Sequence, residues 1–152
     1  MIIALIGMTG VGKTTVGKIL ARELNYRFLD TDEKITALTQ KEPAEIFMES
    51  GEEIFRDIES EALEDALRYN NTVLSCGGGI ILRKKNRELL RQHAHVVWLT
   101  RSFEKIIESP AILCRPPIDG APENYKKAFK ARENLYAQTC HLIIDLTNFI
   151  LA

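Results

Sequence analysis

Residues 2–15 read Ile2-Ile3-Ala4-Leu5-Ile6-Gly7-Met8-Thr9-Gly10-Val11-Gly12-Lys13-Thr14-Thr15, and the fold turns on this stretch. An unbroken apolar run needs cover on both faces, which a central parallel strand receives. The run stops at Gly7, after which Val16, Ile19, Leu20 and Leu24 recur at helical spacing. The order is therefore strand, glycine-rich turn, helix. That turn satisfies G-x-x-x-x-G-K-[ST] in the context the pattern requires, behind a strand and opening a helix. Its glycines let backbone N–H groups converge on phosphate oxygens, and the helix N-terminus favours an anion. Lys13 can reach β- and γ-phosphate oxygens and the Thr14 hydroxyl can ligate Mg²⁺. Gly10, Val11, Gly12, Lys13, Thr14 and Thr15 are thus the expected cradle of a nucleoside triphosphate.

Strands and helices keep alternating downstream. Arg27-Phe28-Leu29 is a second strand candidate ending in Asp30-Thr31-Asp32, and a helix with Ile35 and Leu38 follows. Pro43 opens a short helix that Gly51 ends. A longer helix from Glu52 to about Arg68 has an apolar stripe of Ile54, Phe55, Ile58, Ala62, Leu63, Ala66 and Leu67. Val73-Leu74 is a strand ahead of Gly77-Gly78-Gly79. Residues 84–92 form a basic helix with Leu89 and Leu90 inward, residues 95–99 a strand with Trp98 in the core, and residues 102–108 a helix. Pro110, Pro116, Pro117 and Gly120 exclude a sustained helix or inner strand up to about Ala121, and a loop of that length is more often functional than filler. Pro122 starts a charged helix to about Thr139, and Leu142-Ile143-Ile144 is the last strand. The pattern is α/β in three layers.

The chain has 152 residues with 45% hydrophobic and 27% charged side chains, the size and composition of one globular domain. With 20 Lys+Arg against 21 Asp+Glu, it lacks the basic surface that nucleic acid requires. Cys76, Cys114 and Cys140 are odd in number and scattered, which fits free thiols in a reducing cytoplasm rather than a zinc cluster. No apolar run approaches the length of a membrane span.

The chemistry-bearing residues fall at strand ends. In extended backbone Asp30 and Asp32 share a face, so one can serve Mg²⁺ while the other orients an attacking hydroxyl; Asp30 is also a plausible helix N-cap. Arg56 has Glu59 three residues on, the spacing of an ordinary surface ion pair and equally of a held guanidinium. Arg132 carries the same ambiguity. Arginines facing one crevice would suit a small hydroxylated carboxylic acid, because Arg grips carboxylate bidentately. Gly77, Gly78 and Gly79 would let a ligand approach bare N–H groups. Cys76 beside them reads as a small buried neighbour. Arg115 is the lone cation of residues 106–125, placed where a closing loop could supply charge to a transferring phosphate. His93, His95 and His141 lack metal-ligand spacing. No N/T-K-x-D element is present to read guanine, so a small kinase is the better class.

Taken together the blocks resemble the shikimate kinase family of P-loop proteins: Gly7 to Thr15, Phe28-Leu29-Asp30-Thr31-Asp32, Gly51 with Phe55-Arg56 and Glu59, Gly77-Gly78-Gly79-Ile80, Arg115-Pro116, Arg132 with Leu135-Tyr136, and Ile143-Ile144-Asp145. The resemblance implies a five-stranded parallel sheet of order 2-3-1-4-5 between helices and one kinase domain over 1–152, with 33–62 as substrate-binding region and about 109–121 as lid. It implies ATP-dependent phosphorylation of the 3-hydroxyl of shikimate by a cytoplasmic monomer, with no nucleic-acid or membrane partner. By the same resemblance Asp32, Arg56, Gly78, Gly79 and Arg132 hold the acid, Lys13 and Arg115 meet the transferring phosphate, and Thr14 and Asp30 serve Mg²⁺. Lys13, Asp32 and Arg115 are the expected catalytic set.

The chain departs from the family pattern in three places. It reads Lys105-Ile106-Ile107-Glu108-Ser109 where an arginine beside the adenine is expected, and Arg115-Pro116-Pro117 where a Leu usually follows Arg-Pro. A closing helix would also be expected beyond Ala152. A kinase of another small polyol such as gluconate, or a weak nucleotide-binding protein, are the alternative readings.

Overall fold

The computed structural model describes residues 1–109 and 122–149. Strand β1 (Ile2–Ile6) is central. It pairs in parallel with β3 (Thr72–Ser75), Ile3 opposite Val73, and with β4 (His95–Thr100), Leu5 opposite Val97. Strands β2 (Arg27–Asp30) and β5 (Leu142–Asp145) complete a five-stranded parallel sheet of order β2-β3-β1-β4-β5, the topology implied by the resemblance. Ala4, Leu5, Ile6, Val73, Leu74, Val96 and Leu99 are each no more than 1% exposed. Each such Val, Leu or Ile contributes about 1.5–3 kcal/mol, and a parallel arrangement brings all the carboxyl ends to one edge.

Helices α1 (Lys13–Leu24), α2 (Thr31–Thr39), α3 (Pro43–Ser50), α4 (Glu52–Ala66), α5 (Lys84–His93), α6 (Phe103–Ile107) and α7 (Pro122–Thr139) take the expected places. The apolar stripe of α1 is rotated from the expected one, and that of α4 holds except at Ile54. In α1 the inward face is Lys13, Gly17 and Ala21, whereas Ile19 is 47% and Leu24 39% exposed. The cause is close approach: a Cβ on Gly17 would stand 2.7 Å from Cε2 of Phe28, so small residues must face the sheet. In α4 Ile54 lies outside, and the polar Arg56, Glu59 and Ser60 are buried beside Phe55, Ala62, Leu63 and Ala66. In α5 Leu90 is buried while Leu89 is half-buried, and buried Asn86 donates to the Ile80 carbonyl at 3.1 Å.

A second, smaller core lies under α2, α3 and α4, formed by Ile35, Ile46, Phe55 and Ala62 with Phe47 and Ile58 against it. Phe47 and Phe55 meet edge to face at 5.8 Å, a geometry aromatic pairs favour. This cluster stiffens the region that carries Arg56. Trp98 belongs to the main core and stacks on Tyr136 at 5.6 Å. Cys76 and Cys140 are free thiols, and Cys114 lies outside the described residues. Among the described residues no helix is long and apolar enough to cross a membrane.

Candidate active site

At the carboxyl edge of the sheet the loops after β1, β2 and β3 enclose a cleft of about 580 Å³, with Lys13, Thr14, Asp30, Asp32, Gly77 and Gly78 in its wall. Gly12 makes the phosphate loop possible. It caps α1 at φ 109°, a left-handed conformation that residues with a Cβ rarely adopt. Lys13 is only 8% exposed, and its ammonium donates to the carbonyls of Gly7 at 2.7 Å and Met8 at 2.9 Å. Its amine therefore folds back onto the loop that lines the cleft. Thr9, Gly10, Gly12, Thr14 and Thr15 also line the cleft, but Val11 does not. Val11 is fully buried, and its N–H donates to the Met8 carbonyl at 3.3 Å. The loop's own turn takes that donor.

Asp30 is the helix N-cap that the sequence allowed, and its second oxygen is turned to Thr14. Oδ1 accepts the Asp32 N–H at 2.8 Å and so caps α2, while Oδ2 accepts from the Thr14 hydroxyl at 3.4 Å. Burial, and after it the neighbouring Asp32 charge, push the Asp30 carboxyl above its usual range. A cation between Thr14 and Asp30 would relieve both effects. Two hard oxygen donors at a phosphate cradle are the set Mg²⁺ takes when phosphates and water complete its shell, so the residues fit the metal. The Thr31 hydroxyl accepts the Gly77 N–H at 2.9 Å, tying the loop after β3 to the start of α2.

The arginine pair is buried, which overturns the surface ion-pair reading. Arg56 and Arg132 are each 9% exposed and Glu59 1%. Arg56 donates to Glu59 Oε1 at 2.8 Å. Both guanidiniums draw the Glu59 carboxyl down, but burial is the larger influence and leaves it raised. Arg56 Nε is a buried donor with no hydrogen-bond partner among the described residues; the Glu52 carboxylate stands off at 3.6 Å. A buried guanidinium donor left unmet is costly, and a bound carboxylate would satisfy it.

The glycines explain how the arginines fit. A Cβ on Gly79 would overlap the Arg56 guanidinium, one on Gly78 would stand 3.6 Å from Arg132 NH1, and one on Gly77 would be 3.1 Å from both Asp32 Oδ1 and Glu59 Oε2. Gly77 and Gly78 line the main cleft, whereas Gly79 is absent from that wall and makes room for Arg56. Asp32, Arg56, Glu59 and Arg132 therefore surround one glycine turn opposite the phosphate loop.

Sequence reasoning assigned no role to several contributors. Tyr125 and Tyr136 of α7 bond to the two glycine-bearing loops, and their spacing to Arg132 on one helix face was a usable signal. Arg101, Lys105 and Phe149 line the far end of the cleft, so cations do stand near the segment where the family arginine is lacking. Arg101 donates to the Leu146 and Phe149 carbonyls at 3.4 and 3.0 Å. Arg115 lies outside the described residues, as does the lid apart from Ser109. His141 is structural: its Nδ1 accepts the Val96 N–H at 3.0 Å. Buried Cys76, its thiol pushed up by burial, is no nucleophile.

Comparison with known proteins agrees with this geometry. The shikimate kinase family profile matches residues 9–149. A shikimate kinase of Clostridium botulinum (strain Eklund 17B / Type B) is 39% identical over 142 residues, covering 93% of this chain and 86% of that protein. Shikimate kinase 2 of Photorhabdus laumondii is 39% identical over 150 residues, with 95% and 86% covered. The structure of the Acinetobacter baumannii shikimate kinase in complex with shikimate superposes with a TM-score of 0.89 at 34% identity, over 94% of this chain and 82% of that one. With the cradle and the acidic pair in one cleft and the buried arginines against the glycine turn at its wall, these likenesses place the chain in the shikimate kinase family of ATP-dependent phosphotransferases.

Proposed function

We propose that this chain transfers the γ-phosphoryl group of ATP to the 3-hydroxyl of shikimate, giving shikimate 3-phosphate and ADP. The observation that carries the reading is the burial of Arg56 and Arg132 around Glu59 and the glycine turn, with Arg56 Nε making no hydrogen bond and only a 3.6 Å ion pair to the exposed Glu52 carboxylate. A ring carboxylate bridging those guanidiniums would leave the opposite side of a small acid toward Asp32 and the phosphate loop. The family match favours shikimate over gluconate or another polyol and over a non-catalytic nucleotide binder.

The roles follow from chemistry. Lys13 would leave the Gly7 and Met8 carbonyls for the β- and γ-phosphate oxygens and hold charge there as the bridging P–O bond lengthens. The attacking oxygen comes from the acceptor hydroxyl, whose proton passes to Asp32, and the leaving oxygen departs with ADP. Backbone N–H groups of Gly10, Gly12, Thr14 and Thr15 would receive phosphate oxygens. Thr14 and Asp30 would hold Mg²⁺, which supplies charge neutralisation across the β- and γ-phosphates. Arg56, Arg132 and the Gly77–Gly79 turn would hold the acid, with Gly79 acting through Arg56. Residues 33–62 form the acid-binding region, and about 109–121 the lid bringing Arg115 to the phosphate. Turnover of ATP measured with and without shikimate, with mass analysis of the acceptor, tests this. Acceptor-dependent ADP release and a phosphorylated shikimate are expected; ADP release indifferent to shikimate would refute it.

A further inference from the structure

Helix α7 touches both substrate loops through hydroxyl groups that the transfer chemistry does not use. The Tyr125 hydroxyl donates to the Thr9 carbonyl at 2.6 Å and the Tyr136 hydroxyl to the Gly78 carbonyl at 2.5 Å. At roughly 100° per residue, positions 125, 132 and 136 fall within about 40° of one another around a helix, so both tyrosines share a face with Arg132. Each carbonyl belongs to the peptide that supplies the next residue's N–H, that of Gly10 in the phosphate loop and that of Gly79 in the glycine turn. A planar trans peptide points its C=O and N–H in opposite directions, and no cis bond occurs among the described residues. Drawing the Thr9 carbonyl onto α7 therefore aims the Gly10 N–H away from the helix, and Gly10 lines the cleft. The same constraint sets the Gly78–Gly79 peptide beside Arg56 and Arg132.

We propose that Tyr125 and Tyr136 are positioning residues, Tyr125 orienting the phosphate loop toward the nucleotide and Tyr136 orienting the glycine turn toward the acid, so that one helix registers the two substrates against each other. An accepted hydrogen bond also polarises the peptide and strengthens its N–H as a donor. Both rings are buried and otherwise held, Tyr136 on Trp98 at 5.6 Å and Tyr125 against Phe103 at 6.1 Å. The hydroxyls accordingly have fixed positions. Burial raises the Tyr125 phenol and pushes that of Tyr136 up to about 12, so both remain protonated donors near neutral pH. The proposal rests on the nucleotide and acid sites assigned above.

The test uses Tyr125→Phe, Tyr136→Phe and the double variant of the full chain. Phenylalanine keeps each ring contact and removes the hydroxyl, which in Tyr136 also lies 3.4 Å from Met8 Sδ and hydrogen-bonds with the Arg132 side chain; an Arg132→Lys variant run alongside separates loss of that contact from loss of the bond to Gly78. Calorimetric titration with ADP and, separately, with shikimate is run beside steady-state kinetics and thermal unfolding. Tyr125→Phe should weaken ADP binding and raise the ATP KM by about 5- to 20-fold, with shikimate binding within twofold; Tyr136→Phe should do the converse. The double variant should show both losses. Equal losses for both ligands in either variant, or lower thermal midpoints with both affinities unmoved, would overturn the proposal and leave the hydroxyls a purely structural role. If the parent neither bound nor phosphorylated shikimate while Tyr125→Phe still selectively lost ADP, the acceptor assignment would fail and the phosphate-loop half of the proposal would stand.

Discussion

In the proposed function Arg56 serves the fold and the acid site at once, and the two roles can be separated. Arg56→Met removes the 2.8 Å bond to Glu59 and leaves a carboxylate that is 1% exposed. Breaking a buried ion pair from one side costs about 3–5 kcal/mol. At roughly 2–4 °C per kcal/mol for a domain of this size, the midpoint should fall by about 6–20 °C. Arg56→Met/Glu59→Gln neutralises the stranded charge and should recover about 1–3 kcal/mol, the usual coupling of contacting residues. Shikimate binding should not follow. Losing charge-assisted bonds to a carboxylate in a closed site costs about 2–5 kcal/mol, roughly 30-fold to several thousand-fold, in single and double variants alike. Urea unfolding gives the stabilities and calorimetry the affinities, with ADP binding, expected to stay within a few-fold, as the control for folding. A double variant that regains shikimate affinity along with stability would mean that Arg56 acts only through the fold, and would refute its place on the acid.

Lys13→Ala should leave the thermal midpoint within a few degrees while turnover falls by about 10²-fold or more, because its loop contacts are replaceable and its charge on the transferring phosphate is not; turnover within threefold of the parent would refute this. Asp30, its carboxyl raised by burial and by Asp32, binds its proton more tightly folded than unfolded. Its contribution to stability is thus present below the unfolded value and lost as pH rises from about 4 through the folded value. Asp30→Asn, which keeps the cap on α2, should reduce that decline in the unliganded protein and abolish the extra stabilisation Mg²⁺ gives with ADP; unchanged urea midpoints across the pH series would contradict it. Arg115→Ala should cut turnover by about 10²-fold while raising the shikimate KM far less if, as proposed, its charge meets the phosphate mainly in the transition state; a loss confined to KM would remove it from the transfer step.

The parts of the fold legible in the sequence were those fixed by local constraint. A buried apolar strand followed by a turn that needs glycine at φ 109° leaves few alternatives, and Pro122 marks the start of α7 because its ring fixes the backbone there. Ile19, Leu24 and Ile54 were misplaced because periodicity reports the spacing of apolar residues, not which neighbour comes closest. Phe28 decides the face of α1 by meeting Gly17, a contact between α1 and β2. The same limit applies to Arg56 and Glu59. Their spacing of three residues is identical for an exposed pair and a buried one, and the space left by Gly79 is what puts them inside.

That space bears on why the acid site takes its charge from three residues rather than one. Arg56 and Arg132 bring two positive charges and Glu59 one negative, all at most 9% exposed, so this buried trio carries a net charge of about +1 with Glu59 ionised, while the carboxylates of half-buried Asp32 and exposed Glu52 lie at its solvated margin. Burial works against that ionisation, and the two guanidiniums work for it. A second unpaired cation in so dry a place would be costly to bury; Glu59 offsets one and leaves the equivalent of a single charge to be met. An acceptor with one carboxylate brings the cluster to neutrality, whereas a neutral polyol leaves it uncompensated and a dianion overshoots. The overall charge of -1 conceals this balance, because selectivity is set by the charge sealed within the glycine turn and not by the sum over the surface. An amide analogue of the acid should therefore bind the parent far less tightly than the acid itself, and Glu59→Gln, by raising the local charge, should widen that gap rather than close it. Calorimetry of both acceptors against both proteins decides the point: a narrower gap in the variant would mean that Glu59 serves only to brace Arg56 and that charge balance plays no part in choosing the acid.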